Sequence, residues 1–419
     1  MGRAGRVAGR AALLALVLAG AAAWARAGDP PAPAYDPAAF RGGPARAGDL
    51  GALKLPGAGA RVLWRYDCDQ GVGDAVIADG VAYATGDEGT ILAVRVDGSG
   101  VVWQDDRPGR RFASGPTVAG DWIYVATNRG IAALHRATGA TAWEHPIAGG
   151  AGESAPLVVG GRIMAAGYDG SIHAVNLDGT LAWTHDLMGD VPPDPPGFDR
   201  KRAVIGANAA RPKTMAGDGA TVFAPIFDQS RLVAVDAATG KRRWSFQARG
   251  WIYGEPAVAG GDVFIGSQDG SLYCLDKATG RPRWSHKTGG RIEAGAAVRD
   301  GAVYVGSCDG FLSKLDVATG RLLWKFETPP GADGRHFAIY SAPVVDADAA
   351  CFGSFDGTLY AVDVADGTLR WKLRPVEEAE VTSSPAADGR VVVLGVRHDR
   401  DKQAGAHALV GIGTGDPKP

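Results

Sequence analysis

Residues 266–284, GSQDGSLYCLDKATGRPRW, contain the pattern that decides the fold. The Asp-Gly pair inside G-S-x-D-G predicts a tight hairpin turn, because glycine accepts the positive φ that such turns require. A short strand, SLYCL, follows, and D-x-A-T-G then predicts a second turn before a strand around Trp284. Two further short strands, near Ala257 and Val263, precede this stretch. Four short strands separated by turns, with no helical period, predict one antiparallel sheet.

The same unit recurs along the chain, and its tryptophans mark the period. The spacings between them are 39, 40, 40, 61, 40, 40 and 47 residues, for Trp64, Trp103, Trp143, Trp183, Trp244, Trp284, Trp324 and Trp371. A fixed period of about 40 residues predicts a propeller or a solenoid. Because one tryptophan side chain buries about 150–250 Å², we expect these eight side chains to dock neighbouring units against each other.

The two ends of the repeat region complement each other. Trp64 precedes the first complete unit, whereas the last unit, from residue 381 onward, has no tryptophan. A strand around Trp64 can complete that last unit, which removes the exposed edges of an open sheet. We therefore predict an all-β fold over residues 58–415, an eight-bladed β-propeller of four-stranded antiparallel blades closed by an N-terminal strand. Residues 416–419 form a short tail.

The N-terminal region has the composition of an export signal. Residues 1–27 combine arginines, an apolar run too short to span a bilayer and a small-residue cleavage site. No cysteine near that site is placed to accept a lipid, and no later segment is apolar enough to cross a membrane. We expect a periplasmic or extracellular protein with neither a lipid anchor nor a membrane span. Residues 28–57, rich in proline, glycine and alanine, predict a flexible lead-in.

Charge and cysteine usage limit the possible partners. Removal of residues 1–27, with four arginines and no acids, changes the formal net charge from -2 to -6. A mildly acidic protein is a poor candidate for non-specific nucleic-acid binding. The cysteines lack C-x-x-C spacing and stand isolated at Cys68, Cys274, Cys308 and Cys351. Small buried thiols are favoured, while structural disulfides, with three possible pairings, stay open.

The combination of G-S-x-D-G-x-L-Y with D-x-A-T-G-x-x-x-W resembles the repeat of the pyrroloquinoline quinone (PQQ) type propellers, over roughly residues 60–415. One branch of that family consists of quinoprotein dehydrogenases, which implies PQQ, calcium and a catalytic aspartate in the axial channel. The other consists of non-enzymatic propellers similar to BamB, which implies a protein or peptide partner. This chain lacks the adjacent cysteine pair and the haem motif found in many of the enzymes. It also lacks the lipid-accepting cysteine of BamB.

From this resemblance we expect a monomeric, non-enzymatic protein- or peptide-binding scaffold of the cell envelope, without cofactor or metal. A role in the assembly of outer-membrane proteins is its most specific form. The alternative is a PQQ- and calcium-dependent dehydrogenase that oxidises alcohols or sugars, since one propeller fold hosts unrelated activities. No catalytic residue is predicted, because a single histidine without a visible nucleophile is weak evidence. Alternating carboxylates, as in Asp346-Ala-Asp348, fit ordinary turns better than calcium loops.

Candidate binding residues lie in the segments before the first strand of each unit, which vary most between units. These segments should open at one face near the axis, where aromatic, arginine and carboxylate side chains can hold a ligand. The candidates are Arg111, Glu153, Trp251, Tyr253, Glu255, Arg291, Glu293, His336 and Tyr340. The competing interpretation is that they are ordinary rim residues. Insertions at 187–207 and 329–337 account for the two long spacings.

Overall fold

The computed structural model of the chain describes residues 48–68, 71–107, 109–112, 114–152, 154–187, 189, 214–332, 334–398 and 407–415. Residues 1–27, the candidate Glu153, nearly all of the 187–207 insertion and the tail lie outside the described residues, so the predictions made for them stay predictions. Among the described residues, no helix has the length and apolar character needed to cross a membrane.

Seven blades of the described chain are four-stranded antiparallel sheets whose strands follow one another in sequence. Blades 1 to 3 contain β2 (Val76–Ala78), β3 (Val81–Thr85), β4 (Thr90–Arg95), β5 (Val101–Asp106), β6 (Thr117–Ala119), β7 (Trp122–Thr127), β8 (Gly130–His135), β9 (Thr141–Pro146), β10 (Leu157–Val159), β11 (Arg162–Ala166), β12 (Ser171–Asn176) and β13 (Leu181–Asp186). Blades 4 to 7 contain β14 (Ala216–Gly217), β15 (Thr221–Ile226), β16 (Arg231–Asp236), β17 (Arg242–Gln247), β18 (Ala257–Ala259), β19 (Asp262–Gly266), β20 (Ser271–Asp276), β21 (Pro282–Lys287), β22 (Ala297–Arg299), β23 (Ala302–Gly306), β24 (Phe311–Asp316), β25 (Leu322–Glu327), β26 (Val344–Val345), β27 (Ala349–Gly353), β28 (Leu359–Asp363) and β29 (Leu369–Leu373). A 3-10 turn, Phe227–Gln229, joins β15 to β16.

The eighth blade joins the two ends of the described chain. Its strands are β31 (Ala386–Ala387), β32 (Val391–His398), β33 (His407–Gly413) and β1 (Arg61–Cys68), and the short β30 (Ala379–Glu380) pairs with the end of β32. Strand β1 pairs antiparallel with β33 and places Trp64 opposite Gly411. The predicted eight-bladed fold, closed by an N-terminal strand, is confirmed.

The core of the propeller lies between blades. The first strands of adjacent blades contact each other around the axis, and the second and third strands are buried. Between blades 5 and 6, for example, Phe264 and Leu272 pack with Val303 and Val305. Outer strands alternate exposed and partly buried residues, as in β21. The period-2 pattern of the sequence therefore appears only in the outer strands, because the inner ones are covered on both sides.

The indole Nε1 of each docking tryptophan donates to a backbone carbonyl oxygen at 2.7–3.2 Å, and the acceptors are Val96, Arg136, Leu177, Ala237, Lys277, Val317, Val364 and Pro56. All of these acceptors except Pro56 lie at a turn of the following blade. In six of the turns the ring lies over a glycine, at positions 139, 179, 240, 280, 320 and 367. A Cβ atom added to Gly280 would stand 2.5 Å from the ring of Trp244, so this glycine supplies space for the indole as well as its positive φ.

The last of these tryptophans docks on the N-terminal segment. Blade 8 presents no D-x-A-T-G turn to Trp371, and its indole donates instead to the Pro56 carbonyl at 2.7 Å. The Leu55 amide donates to Asp346 Oδ2 at 2.5 Å. Asp49 forms an isolated parallel β-bridge with Val345 of β26. Residues 48–57, which the sequence groups with the lead-in, therefore pack on blades 7 and 8.

All four cysteines of the described chain are free thiols. Cys274 and Cys351 are buried in interblade clusters, and burial raises the pKa of the Cys274 thiol to about 12. Cys274 stands opposite Trp284 in the β20–β21 ladder, a position that an alanine fills opposite Trp103 and Trp143. The thiol acts there as a small apolar side chain.

Candidate functional site

One face of the propeller, here called the hairpin face, carries the hairpins between second and third strands. Beside each hairpin runs the segment that precedes the first strand of the same blade. A backbone N–H of the hairpin donates to a carbonyl of that segment, in the pairs Asp87 to Gly71, Asn128 to Arg111, Tyr168 to Gly150, Gln268 to Trp251, Cys308 to Arg291 and Phe355 to Ala338. In these six blades, the bonds fix the hairpin and the preceding segment side by side, so their side chains form one surface.

Between blades 4 and 5, this face exposes aromatic side chains. Trp251 is 49% exposed and Tyr253 41% exposed. Both rings contact Phe227 of the blade 4 turn, with centroid distances of 4.9 and 5.4 Å. Ile252 between them is fully buried, and it anchors the segment so that its two neighbours point outward. Large rigid rings held in this way are typical anchors of protein interfaces.

The next part of the face is polar. The Gln268 amide donates to Glu293 Oε1 at 2.7 Å, and Arg291 Nε lies 3.5 Å from the same oxygen. The Glu293 charge raises the pKa of Arg291, and the guanidinium stays largely exposed. The polar part lies directly beside the aromatic part because the backbones of the two segments touch at Gly254. A Cβ atom added to Gly254 would lie 2.6 Å from the Ala294 carbonyl oxygen.

Further round the face, Tyr340 contacts both a thiol and a second exposed ring. The Cys308 thiol touches the side chains of Arg291 and Tyr340, and burial raises its pKa. The ring of Tyr340 meets Phe355 edge-on at 5.6 Å, and Phe355 is 37% exposed. The side chains from blade 4 to blade 7 thus form a continuous band, which we call the arc: Phe227, Trp251, Tyr253, Gln268, Glu293, Arg291, Cys308, Tyr340 and Phe355.

The remaining described candidates lie apart from the exposed side of the arc. Glu255 is half-buried. His336 lies 3.3 Å from Glu327 and stacks near Phe311, at the outer side of blade 6. Arg111 belongs to a polar cleft of about 630 Å³ on the far side of the ring. The structure therefore brings five of the candidates together, namely Trp251, Tyr253, Arg291, Glu293 and Tyr340.

A cavity of about 160 Å³ lies between blades 8, 1 and 2, lined by Asp74, Asp87, Ser114 and Arg397 among others, and Arg397 pairs with Asp87 at 3.1 Å. Ligand pockets typically enclose about 300–1,000 Å³, so this cavity is smaller than a typical ligand pocket. Within the described ranges, no three His, Cys, Asp or Glu side chains converge as metal ligands do.

The sequence also matches a described family. The family model "Outer membrane protein assembly factor BamB" matches residues 87–195 and 200–406, which is more than half of the chain. The chain belongs to this BamB family. The predicted resemblance to PQQ-type propellers similar to BamB is confirmed. No curated protein matches the chain in a sequence comparison.

Solved structures share the fold at low sequence identity. BamB from Moraxella catarrhalis is 18% identical with a TM-score of 0.63, covering 84% of this chain and 99% of its own. Quinohemoprotein alcohol dehydrogenase from Comamonas testosteroni is 15% identical with a TM-score of 0.70, covering 92% and 81%. A europium-containing methanol dehydrogenase is 15% identical with a TM-score of 0.70, covering 90% and 98%. A BamB structure and two alcohol dehydrogenase structures thus share this fold.

Four members of the arc are absent from the candidates drawn from the sequence. Gln268, Cys308 and Phe355 occupy the variable position x of G-S-x-D-G, inside an otherwise constant motif. Phe227 lies in the 3-10 turn that replaces this hairpin in blade 4. Alignment of the BamB-family repeats at that motif would have shown the first three, because a residue that varies within a fixed turn is not required by the turn.

Proposed function

We propose that the protein is an exported, non-enzymatic scaffold of the cell envelope that binds a protein or peptide through the arc. The observation that carries this proposal is the grouping of exposed aromatic residues. In the described residues, the exposed large apolar side chains fall into two places. Trp251, Tyr253 and Phe355 lie in the arc, and the others are valines and leucines of the outer strands.

The chemistry of the arc supports a polypeptide partner. Interfaces concentrate their binding energy in tryptophan, tyrosine and arginine side chains near the centre of a patch. The arc supplies these in Trp251, Tyr253 and Arg291, on segments anchored by buried isoleucines. Aromatic faces pack against apolar side chains of an extended segment, while the Arg291 guanidinium donates hydrogen bonds to a carboxylate or a backbone carbonyl. Assembly of outer-membrane proteins is the specific role that the family description suggests.

A peptide-binding experiment tests the proposal. The probes are 15-residue peptides tiled over an outer-membrane β-barrel protein, and the readout is fluorescence anisotropy. We expect the double variant Trp251→Ala/Arg291→Ala to lose at least about 30-fold in affinity, the effect of one interface hot spot. The control Leu181→Ala/Arg281→Ala removes an equally exposed apolar residue and an exposed arginine outside the arc. Unchanged affinity in the first variant, or equal losses in both, would contradict the proposal.

The second candidate function is a quinoprotein dehydrogenase, which the two alcohol-oxidising structural neighbours favour. Among the residues that the structure describes, no three acidic, histidine or cysteine side chains converge, whereas calcium requires about six to eight oxygen ligands. The test is to add PQQ and calcium to purified protein, remove free cofactor by gel filtration and record quinone absorbance. Retained quinone with dye-linked oxidation of alcohols or aldose sugars would replace the scaffold proposal with the enzyme.

A further inference from the structure

A three-residue arrangement recurs between blades. The outer strand of blade 4 supplies Phe246, whose ring centroid lies 5.1 Å from that of Tyr273 on the third strand of blade 5. The Tyr273 hydroxyl donates to Asp269 Oδ2 of the blade 5 hairpin at 2.6 Å. The same arrangement occurs between blades 6 and 7. The ring centroids of Phe326 and Tyr360 lie 5.7 Å apart, and the Tyr360 hydroxyl donates to Asp356 Oδ2 at 2.5 Å. The ring pair closes the joint between two blades and ties the hairpin to it.

Between blades 2 and 3, histidines occupy both ring positions. His145 stands opposite Ile131 in the β8–β9 ladder, as Phe246 stands opposite Leu232. The centroids of His145 and His173 are 5.7 Å apart. His173 Nε2 lies 2.8 Å from Asp169 Oδ2, in the place that a tyrosine hydroxyl takes in the two joints just described. The same architecture is therefore built here from two groups that can take up a proton near neutral pH.

This joint can accommodate one positive charge but not two. His173 is 8% exposed, and its Nδ1 atom is buried without a hydrogen-bond partner in the described structure. Asp169 is the carboxylate in contact with the pair. Glu144, next to His145 in the chain, is held by Arg110. One carboxylate balances one imidazolium, and a second imidazolium at contact distance is repelled.

We propose that His145, His173 and Asp169 form a pH-responsive joint that holds blades 2 and 3 together at neutral pH and loosens when both imidazoles are protonated. Burial, followed by the neighbouring His173, lowers the pKa of His145, and a hydrogen bond to the Gly179 backbone offsets part of this. At His145, the folded state therefore binds fewer protons than the unfolded state between the lowered folded pKa and about pH 6.5. The contribution of His145 to stability is complete above about pH 6.5 and is lost as the pH falls from there through the folded pKa.

Hydrogen exchange tests the joint in the full-length chain. We expect peptides covering β9 and β12 to exchange about three- to tenfold faster at pH 5.5 than at pH 7.5, after correction for intrinsic rates, through local opening. The equivalent strands β17 and β20, joined by Phe246 and Tyr273, serve as the internal control. The variant His145→Phe/His173→Tyr rebuilds their arrangement and should remove the difference. Exchange that changes equally at both joints, or persists in this variant, would overturn the proposal.

A second measurement does not depend on the folding of the double variant. In protein labelled with ¹³C-histidine, we expect one imidazole to titrate below the ordinary value of about 6.5 and to disappear in His145→Phe. His286→Phe removes the histidine at the same outer-strand position of blade 5 and should leave that titration in place. If every imidazole titrates at or above the ordinary value, the joint does not exist.

Discussion

Two glycines of blade 6 allow the docking of one tryptophan to be measured. Gly320 has φ +70, and a Cβ added there would lie 2.5 Å from Cε3 and 2.6 Å from Cδ2 of Trp284. Gly301, in the turn between β22 and β23, has φ +73, and its Cβ would meet nothing within 4 Å. Alanine strains the backbone equally at both positions. The difference between Gly320→Ala and Gly301→Ala therefore reports the tryptophan contact alone.

The expected magnitudes follow from this geometry. A left-handed alanine costs about 1–2 kcal/mol in either variant. Gly320→Ala also forces the Trp284 ring away, at about 1–3 kcal/mol for overpacking. The hydrogen bond from Trp284 Nε1 to the Val317 oxygen, at 2.9 Å, contributes about 1 kcal/mol more. We expect Gly320→Ala to lower the free energy of unfolding by about 2–4 kcal/mol more than Gly301→Ala, the sum of the last two costs.

The assay is urea unfolding followed by tryptophan fluorescence and circular dichroism. A Trp284→Ala background provides the matched test, because a clash cannot occur with a side chain that has been removed. In that background, Gly320→Ala should cost no more than Gly301→Ala. Equal losses for the two glycine variants in the parent, or an unchanged Gly320→Ala penalty without the indole, would refute the docking role of the glycine.

Two other predictions concern the chain terminus and the thiols. A chain that begins at residue 58 should lose about 3–5 kcal/mol of stability relative to one that begins at 48, because the hydrogen bonds of this segment to blades 6 and 7 and the burial of Leu50 and Leu55 disappear; equal urea midpoints would contradict this. Iodoacetamide at pH 8 should modify half-buried Cys68 in the native protein, whereas Cys274, buried with its pKa raised to about 12, should react only after unfolding. Equal native rates, measured by mass spectrometry, would contradict the second prediction.

The sequence predicts the blades because their determinants are local. The tryptophan, the Asp-Gly hairpin and the D-x-A-T-G turn each act within one unit and the next, so the period exposes them. The packing of residues 48–57 could not be predicted in the same way. Their contacts to Trp371 and Asp346 use the backbone carbonyl of Pro56 and the backbone amide of Leu55. Such backbone contacts leave little trace in side-chain identity, although Leu50 and Leu55 of the segment are buried.

The sequence predicted only part of the arc, for a related reason. Irregular residues before each first strand, such as Trp251 and Arg291, stand out because nothing in the repeat requires them. Their hairpin partners are hidden, because Cys308 and Phe355 interrupt a motif that otherwise indicates only a turn. The connection between the two depends on the bond from each hairpin amide to the preceding segment, which a spacing alone does not show.

The two halves of the ring differ in a way that connects the arc to the joint. In blades 4 to 6, each D-x-A-T-G aspartate accepts hydrogen bonds from the amide and the hydroxyl of the threonine in the same turn. In blade 4, the distances from Asp236 Oδ1 to the Thr239 amide nitrogen and hydroxyl oxygen are 2.8 and 2.9 Å. The arc lies on this regular half. Blades 1 to 3 have looser turns, glycines at 149, 150 and 152, and the histidine joint. A binding surface is most effective on a rigid support, so a fall in pH should affect the hairpin face of blades 2 and 3 and leave peptide affinity at the arc intact.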